Sequence, residues 1–363
     1  MGALFALLFL VRPKREGQGG DLQSMNLKTL KRAPMTRSTI AIIAALLCGC
    51  ASTVRNYGPD EHFSESEALS GASSTAEQCA RTSDAVWVTG PGFQECIRYF
   101  PSKDFRTGAV RSAIVFMAGD VLSTKGVSPT YQAGTPRKRM ERADQEQRRG
   151  GTPYLILARP GTDGSSGNQN LRRTRYETLV MNAALDKIKA QYGIEDFGLV
   201  GQSGGGGLVA ALIAERQDVL CAVSSSGVTA VKYRVAAAGR FSDYTGKSVA
   251  DIWDPVEQLG RVHPRPGFRL FVTSDRDDSD VSFGSQEHYV QAALKAGLPV
   301  TQLIVRASGP AHHQTYSIGN RVVEDCMLGL PTSYIAGTYS GMANDNPNMD
   351  ELARKARAQS ALR

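Results

Sequence analysis

Seven short runs of β-forming residues alternate with helical patterns along this chain, and nothing else in the sequence restricts the fold as tightly. The runs are Glu95–Phe100, Ser112–Met117, Tyr154–Ala158, Phe197–Val200, Val219–Ser224, Arg269–Thr273 and Thr301–Val305. Several are almost continuously apolar, as strands covered on both faces must be. Between them, Met181, Leu185, Ile188 and Tyr192 share one face of a helix, and Gly193 suits its C-terminal cap. Residues 204–216, 285–296 and 318–327 carry further helical patterns. The alternation predicts an α/β fold: a mostly parallel, doubly wound sheet with helices on both faces. Two stretches interrupt it, 121–150 and 228–266. Long insertions in compact α/β domains are usually lids or binding loops, and 228–266 is expected to be a lid.

One strand runs directly into Gly201-Gln202-Ser203-Gly204-Gly205, a G-x-S-x-G pentapeptide. With 37 glycines in the chain, the pattern alone is weak. Its position between an apolar strand and a helix of small residues gives it weight. A tight strand-to-helix turn lifts the serine hydroxyl above the sheet edge, and the helix N-terminus points N–H groups at a developing oxyanion.

A serine hydroxyl needs a base, and the base needs an orienting acid. Three histidines, His288, His312 and His313, follow Ser203 and the acidic stretch that could supply the acid. His288 lies in a helical pattern. His312 and His313 follow the last strand candidate, in the loop Gly309-Pro310-Ala311-His312-His313. Acid candidates crowd after strand 269–273: Asp275, Asp277, Asp278 and Asp280.

These motifs together give residues 95–330 a resemblance to the α/β-hydrolase fold, and within it to the prolyl-oligopeptidase, dipeptidyl-peptidase and esterase-like branch. The resemblance implies roles for particular residues. In that branch the acid commonly precedes a Val by three and a Phe by five, as Asp278 does Val281 and Phe283, with Asp277 the second choice. The branch often reads G-x-x-H at the base, which favours His312 over His313. The equivalent of its second oxyanion donor falls in Met117-Ala118-Gly119-Asp120, so the N–H groups of Gly204 and Asp120 are the expected oxyanion hole. Arg159 and Gln202 are expected to line the substrate pocket. The implied activity is a serine hydrolase working through an acyl-enzyme, most naturally on carboxylic esters, with peptide cleavage as the alternative.

Two other classes compete. Gly205-x-Gly207-x-x-Ala210 matches a dinucleotide-binding pattern, but the next strand ends in Ser224-Ser225-Ser226-Gly227, with no acid for a ribose. The fold could also serve as a non-catalytic surface binding module. No cofactor and no metal site is expected, since neither C-x-x-C nor H-E-x-x-H occurs.

The net charge of +7 comes from 42 Lys and Arg against 35 Asp and Glu. Most of the excess lies in residues 1–49, so the remainder is nearly neutral and offers no electrostatic reason to expect nucleic acid as a partner. Arg137-Lys138-Arg139, Arg142, Arg148 and Arg149 interleave with Glu141, Asp144 and Glu146, which reads as a solvated helix face. Within the first fifty residues, basic residues precede the apolar run Ile40–Leu47, and Cys48-Gly49-Cys50 follows. This is the layout of an export signal, and the run is too short to span a bilayer. The segment resembles a bacterial lipoprotein signal, which would make Cys50 the lipidated residue and the membrane a partner, with the protein in the cell envelope facing the periplasm or exterior. Met25 or Met35 would each start a conventional signal of this kind. The expected organisation is an extension and signal at 1–49, a tether at 50–80, a catalytic domain at 81–341 with its lid at 228–266, and a polar tail at 342–363. An oxidising compartment permits pairing of Cys79, Cys96, Cys221 and Cys326. Cys79 with Cys96 is the more local of the possible bridges.

Overall fold

The structure, a computed structural model, describes residues 60–105, 110–123 and 126–360. Residues 1–49 and the expected lipidation site Cys50 lie outside the described residues.

Eight strands form one sheet: β1 (Ala85–Gly90), β2 (Phe93–Pro101), β3 (Ser112–Met117), β4 (Tyr154–Leu157), β5 (Asp196–Gln202), β6 (Val219–Ser225), β7 (Arg269–Ser274) and β8 (Val300–Ile304). Their order is β1-β2-β4-β3-β5-β6-β7-β8. β1 and β2 pair antiparallel, as do β2 and β4, and every later pair is parallel. The seven expected runs match β2 to β8 to within a residue or two at each end. The strand missed is β1, an edge strand with alternating burial.

The helices longer than one turn are α1 (Glu65–Ser70), α2 (Ala76–Arg81), α3 (Pro136–Gly150), α4 (Arg175–Tyr192), α5 (Gly204–Leu212), α6 (Val231–Ala237), α7 (Phe283–Lys295), α8 (Tyr316–Met327), α9 (Thr332–Tyr339) and α10 (Met349–Ser360). Local chemistry sets their ends. Thr135 caps α3 by accepting the Lys138 N–H at 3.2 Å, Pro136 occupies the first turn, and left-handed Gly151 closes it. Gly193 closes α4 at φ 70°, as its position suggested.

Side chains alternate across the strands into two apolar layers. Val115 packs with Val180, Met181, Leu185 and Ile188 of α4 and with Leu208 of α5 on one face. Ile114 and Phe116 pack with Met140 of α3 and with Ile318 and Val322 of α8 on the other. Full burial of each such side chain stabilises by about 1.5–3 kcal/mol. The sheet is therefore wound on both faces, as the alternation predicted.

Three expectations need correction. The stretch expected as a tether is structured from residue 60: Phe63, Ala68 and Cys79 are buried, and Cys79 is bonded to Cys96 of β2. The stretch expected as a polar tail is part of the fold. There α10 buries Met349, Ala353 and Ala356, and Arg357 pairs with the buried Asp325 carboxylate at 2.6 Å. The charged helix α3 is not a wholly solvated face either. Met140, Ala143, Asp144 and Glu146 are buried in it, and Glu146 pairs with the buried Arg321. A second disulfide, Cys221–Cys326, ties β6 to α8. Among the described residues no helix is long and apolar enough to cross a membrane.

Candidate active site

The sheet register places Gly201 beside Met117 of β3 and Ser224 of β6. Ser203 therefore emerges just past the carboxyl edge of the sheet, between the two strands. It holds φ 57° and ψ −119°, a left-sided conformation that costs a non-glycine residue roughly 1–3 kcal/mol and recurs at active sites. The neighbouring glycines make the turn possible. A Cβ on Gly201 would stand 2.3 Å from the Gly205 carbonyl oxygen, and one on Gly205 would stand 2.2 Å from that of Met117. The turn is closed by the Ser203 N–H donating to Ser225 O at 2.8 Å, while Ser203 O accepts from Val228 N at 3.0 Å.

Asp278 is buried in the loop after β7. Its Oδ1 accepts the N–H groups of Asp280 at 3.0 Å and Val281 at 2.8 Å, and its Oδ2 accepts Gln286 Nε2 at 3.3 Å. Its remaining partner is His313, whose Nδ1 lies 2.9 Å from Oδ2 and 3.1 Å from Oδ1. The expectation that His312 would meet the acid is thus corrected. The His312 side chain is about half exposed, and its Nδ1 lies 3.7 Å from Asp275 Oδ2. The alternative acid, Asp277, is exposed and donates its N–H to Asp275 Oδ1 at 3.0 Å. Asp275, Asp277 and His312 bring potential metal-ligand atoms within 4.8 Å of one another, but the Asp275 carboxylate already accepts the Ala307 and Asp277 N–H groups.

The one-residue difference has a local cause. Ser308 and Gln314 exchange both backbone hydrogen bonds, closing a tight loop in which Gly309 and His312 have positive φ. The Ala311 carbonyl accepts the Ser279 N–H at 3.0 Å, docking this loop on the acid loop. Gln202 fixes the far side: its Nε2 donates to His313 O at 2.8 Å and its Oε1 accepts Thr315 N–H at 3.2 Å. Gln202 thus lines the cavity, as expected, and also positions the histidine loop.

Ser203 and His313 line one cavity of about 820 Å³, together with Gly119, Asp120, Gln202 and Tyr244. A Cβ on Gly119 would lie 3.2 Å from Ser203 Cβ, so the chain after β3 passes directly beside the serine. Neither the Asp120 N–H nor the Gly204 N–H donates to another group among the described residues. Arg159, expected at the pocket wall, is corrected. It is 2% exposed and its guanidinium is turned inward, to Glu177 Oε1 at 2.7 Å and Asp120 Oδ1 at 2.9 Å.

The Asp120 carboxylate is the hub of a buried charge network. Besides Arg159, it meets Arg173, Arg172 Nε at 3.3 Å and the Tyr244 hydroxyl at 2.6 Å. Arg173 also pairs with the buried Asp243 at 3.2 Å. Burial alone would raise the Asp120 carboxyl, but Arg173, Arg159 and Arg172 overcome it and hold the group well below the usual carboxylate range. Burial and the same carboxylate push the Tyr244 phenol up, so it remains a donor. This network binds the loop after β3 to the inserted segment 228–266.

A mostly parallel eight-stranded sheet with helices on both faces, and a sharp turn at Ser203 after the fifth strand, define the architecture. The fold is that of the α/β-hydrolases. Residues 137–249 match the alpha/beta hydrolase fold family. No curated protein matches the chain. Among solved structures, Pyrococcus horikoshii acylaminoacyl peptidase is similar at 16% identity and a TM-score of 0.42, over 61% of this chain. The chain spans only 36% of the length of that enzyme. Est1E from Butyrivibrio proteoclasticus is 12% identical over 68% of this chain and 98% of its own, with a TM-score of 0.44. The Pyrococcus furiosus esterase Pf2001 is 13% identical over 65% of this chain and 85–88% of its own, with a TM-score of 0.42 to 0.44 in three crystal forms. None of these likenesses assigns a substrate.

Proposed function

We propose that this chain is a serine hydrolase using Ser203, His313 and Asp278, acting on carboxylic esters. The observation that carries the reading is the Asp278–His313 Nδ1 contact at 2.9 Å, with His313 and the backbone-strained Ser203 facing one cavity. With Asp278 accepting the Nδ1 proton, His313 Nε2 is left as the nitrogen that takes one up. Ser203 Oγ attacks the ester carbonyl carbon and its proton passes to Nε2. The carbonyl oxygen becomes an oxyanion facing the Gly204 and Asp120 N–H groups, which have no competing acceptor among the described residues. Collapse breaks the acyl–oxygen bond, and Nε2 returns the proton to the departing alcohol. Water then attacks the acyl-enzyme by the same path, releasing the acid and restoring Ser203. Asp120 serves through its backbone alone, because its carboxylate is held by three arginines.

Esters are favoured over peptides with a free N-terminus by the cavity's charge. Arg142 and Arg234, which have no ion pair among the described residues, line it against Asp280, and Asp120 is already neutralised, so an ammonium group finds little attraction there. The test is covalent labelling by a fluorophosphonate, comparing wild type with Ser203→Ala. Labelling that vanishes in the variant is the expected result. Absence of labelling in well-folded wild type would refute the mechanism and favour a binding module.

The same proposal extends to location. Two disulfides suit an oxidising compartment, which supports reading residues 40–50 as an export signal ending in a lipidated Cys50. Residues up to 59 then link the anchor to the domain. Metabolic labelling with radioactive palmitate, lost in Cys50→Ser, tests this. Incorporation that survives the substitution would refute it.

A further inference from the structure

We propose that the ester substrate carries a free carboxylate and that Arg142 is the residue that binds it. The proposal rests on the serine-hydrolase reading and names its substrate class. Arg142 stands on α3 and lines the cavity that holds Ser203 and His313. Its guanidinium lies over two aromatic rings set edge to face, 4.5 Å from the centroid of Phe116 and 4.8 Å from that of Tyr316. Both rings belong to the catalytic framework. Phe116 immediately precedes Met117 at the end of β3, and Tyr316 opens α8 three residues after His313.

The guanidinium has no ion-pair partner among the described residues, and its Nη2 is buried without a hydrogen-bond partner. The missing ion pair sets Arg142 apart from Arg139, Arg159, Arg172 and Arg173. Arg139 is neutralised by Asp163 at 3.0 Å, and Arg159, Arg172 and Arg173 by Asp120. A buried donor left without an acceptor is unfavourable, and a charged one more so. The two ring faces attract the cation but supply no carboxylate for it. A guanidinium that lines the cavity without a counter-ion among the described residues is suited to a charge-assisted hydrogen bond with a substrate carboxylate. Arg234, from the inserted segment, adds a second guanidinium to the cavity, and its hydrogen bond is to the neutral Asp280 carbonyl at 2.7 Å. The substrate class is a half-ester or other ester of a dicarboxylic acid, or an ester whose alcohol part bears the carboxylate.

The experiment compares kcat/KM for mono-p-nitrophenyl glutarate with that for p-nitrophenyl butyrate, a neutral ester of similar reach, in wild type, Arg142→Lys and Arg142→Gln. Wild type should favour the anionic ester, and the ratio should fall by roughly 10- to 100-fold in Arg142→Gln, the worth of one charge-assisted contact. Arg142→Lys should retain part of it. Both esters are measured on one preparation, so loss of active enzyme through misfolding cancels from the ratio. A wild-type ratio below one, or one unchanged by Arg142→Gln, overturns the acyl-side form of the proposal. A carboxylate on the alcohol side is covered by a second readout, protection of Ser203 from fluorophosphonate labelling by glutarate or by 4-hydroxybutyrate. Protection in wild type that is lost in Arg142→Gln supports the proposal, and no protection by either compound counts against it. Labelling that occurs normally while selectivity and protection fail refutes this inference alone. Absence of labelling refutes the hydrolase reading itself.

Discussion

Replacing Asp278 by asparagine tests the catalytic reading at its most specific point. The carboxylate accepts four groups: two backbone N–H donors on Oδ1 and the side chains of Gln286 and His313 on Oδ2. An asparagine has one acceptor to offer. If its oxygen stays with the Asp280 and Val281 N–H groups, its NH₂ faces His313 Nδ1 at 2.9 Å and Gln286 Nε2 at 3.3 Å. His313 must then present Nδ1 as an acceptor, which moves its proton to Nε2, the atom that must receive the proton of Ser203. Flipping the amide instead would strip the buried Val281 N–H of its acceptor, at about 1–3 kcal/mol, and the half-buried Asp280 N–H as well. The wrong tautomer therefore wins. In a Ser-His-Asp arrangement that exchange lowers kcat by about 10⁴, or roughly 5.5 kcal/mol of transition-state stabilisation. The assay is steady-state hydrolysis of p-nitrophenyl butyrate, with thermal melting to confirm a folded variant. Asp277→Asn, at an exposed position, should stay close to wild type, and His313→Ala should lose far more activity than His312→Ala. An Asp278→Asn enzyme within tenfold of wild type, or a His312→Ala loss matching that of His313→Ala, would refute the reasoning.

Three further outcomes follow from the same geometry. Gly204→Ala would place a Cβ 2.1 Å from Asp120 Oδ1, and that carboxylate is clamped by three arginines. The variant should lose about 2–4 kcal/mol in a urea melt and most of its activity, and near-normal stability would show that the clamp yields. The Cys221–Cys326 bridge closes a loop across 105 residues, so replacing both cysteines by serine should lower stability by about 4–5 kcal/mol in denaturant unfolding; a loss under about 1 kcal/mol would count against it. The lowered Asp120 pKa fixes a pH dependence. Stability from a depressed carboxyl is complete above its unfolded value, about 3.9, and is lost as pH falls from there through the folded value. The gap between wild type and Asp120→Asn should thus be constant from about pH 7 to 5 and shrink below about pH 4, as read from urea midpoints; a gap that widens on acidification would contradict the assignment.

What the sequence made legible, and what it hid, divides along physical lines. Strands β2 to β8 stood out because continuous apolar runs have no other use in a chain of this kind. β1 did not, because an edge strand buries only alternate residues, and Ala85–Gly90 includes polar Thr89 and ends in Gly90. The last helix was hidden for a related reason. Its buried stripe is Met349, Ala353 and Ala356, two alanines and one methionine among charges, and much of its docking is ionic, through Arg357 to Asp325. Ionic docking leaves no hydropathy signal.

The histidine was a failure of register. A G-x-x-H spacing counts residues as though the backbone between them were uniform, but His312 itself takes φ 50°, which turns its side chain outward and presents the next residue to Asp278. No pattern of residue types encodes that turn; it comes from the Ser308–Gln314 pairing and the docking of Ala311 on Ser279. Arg142 carries the same lesson for charge. Amid Glu141, Asp144 and Glu146 it reads as one more solvated cation. Yet Met140 and Ala143, two of the few apolar residues in that helix, mark its buried stripe, and Arg139 and Arg142 each precede one of them. Residues at that offset flank the stripe, where a long side chain reaches under the helix along apolar surface. Arg139 finds Asp163 there, whereas Arg142 finds two rings and no acceptor. The carboxylate of the proposed substrate would supply the partner that Arg142 lacks among the described residues.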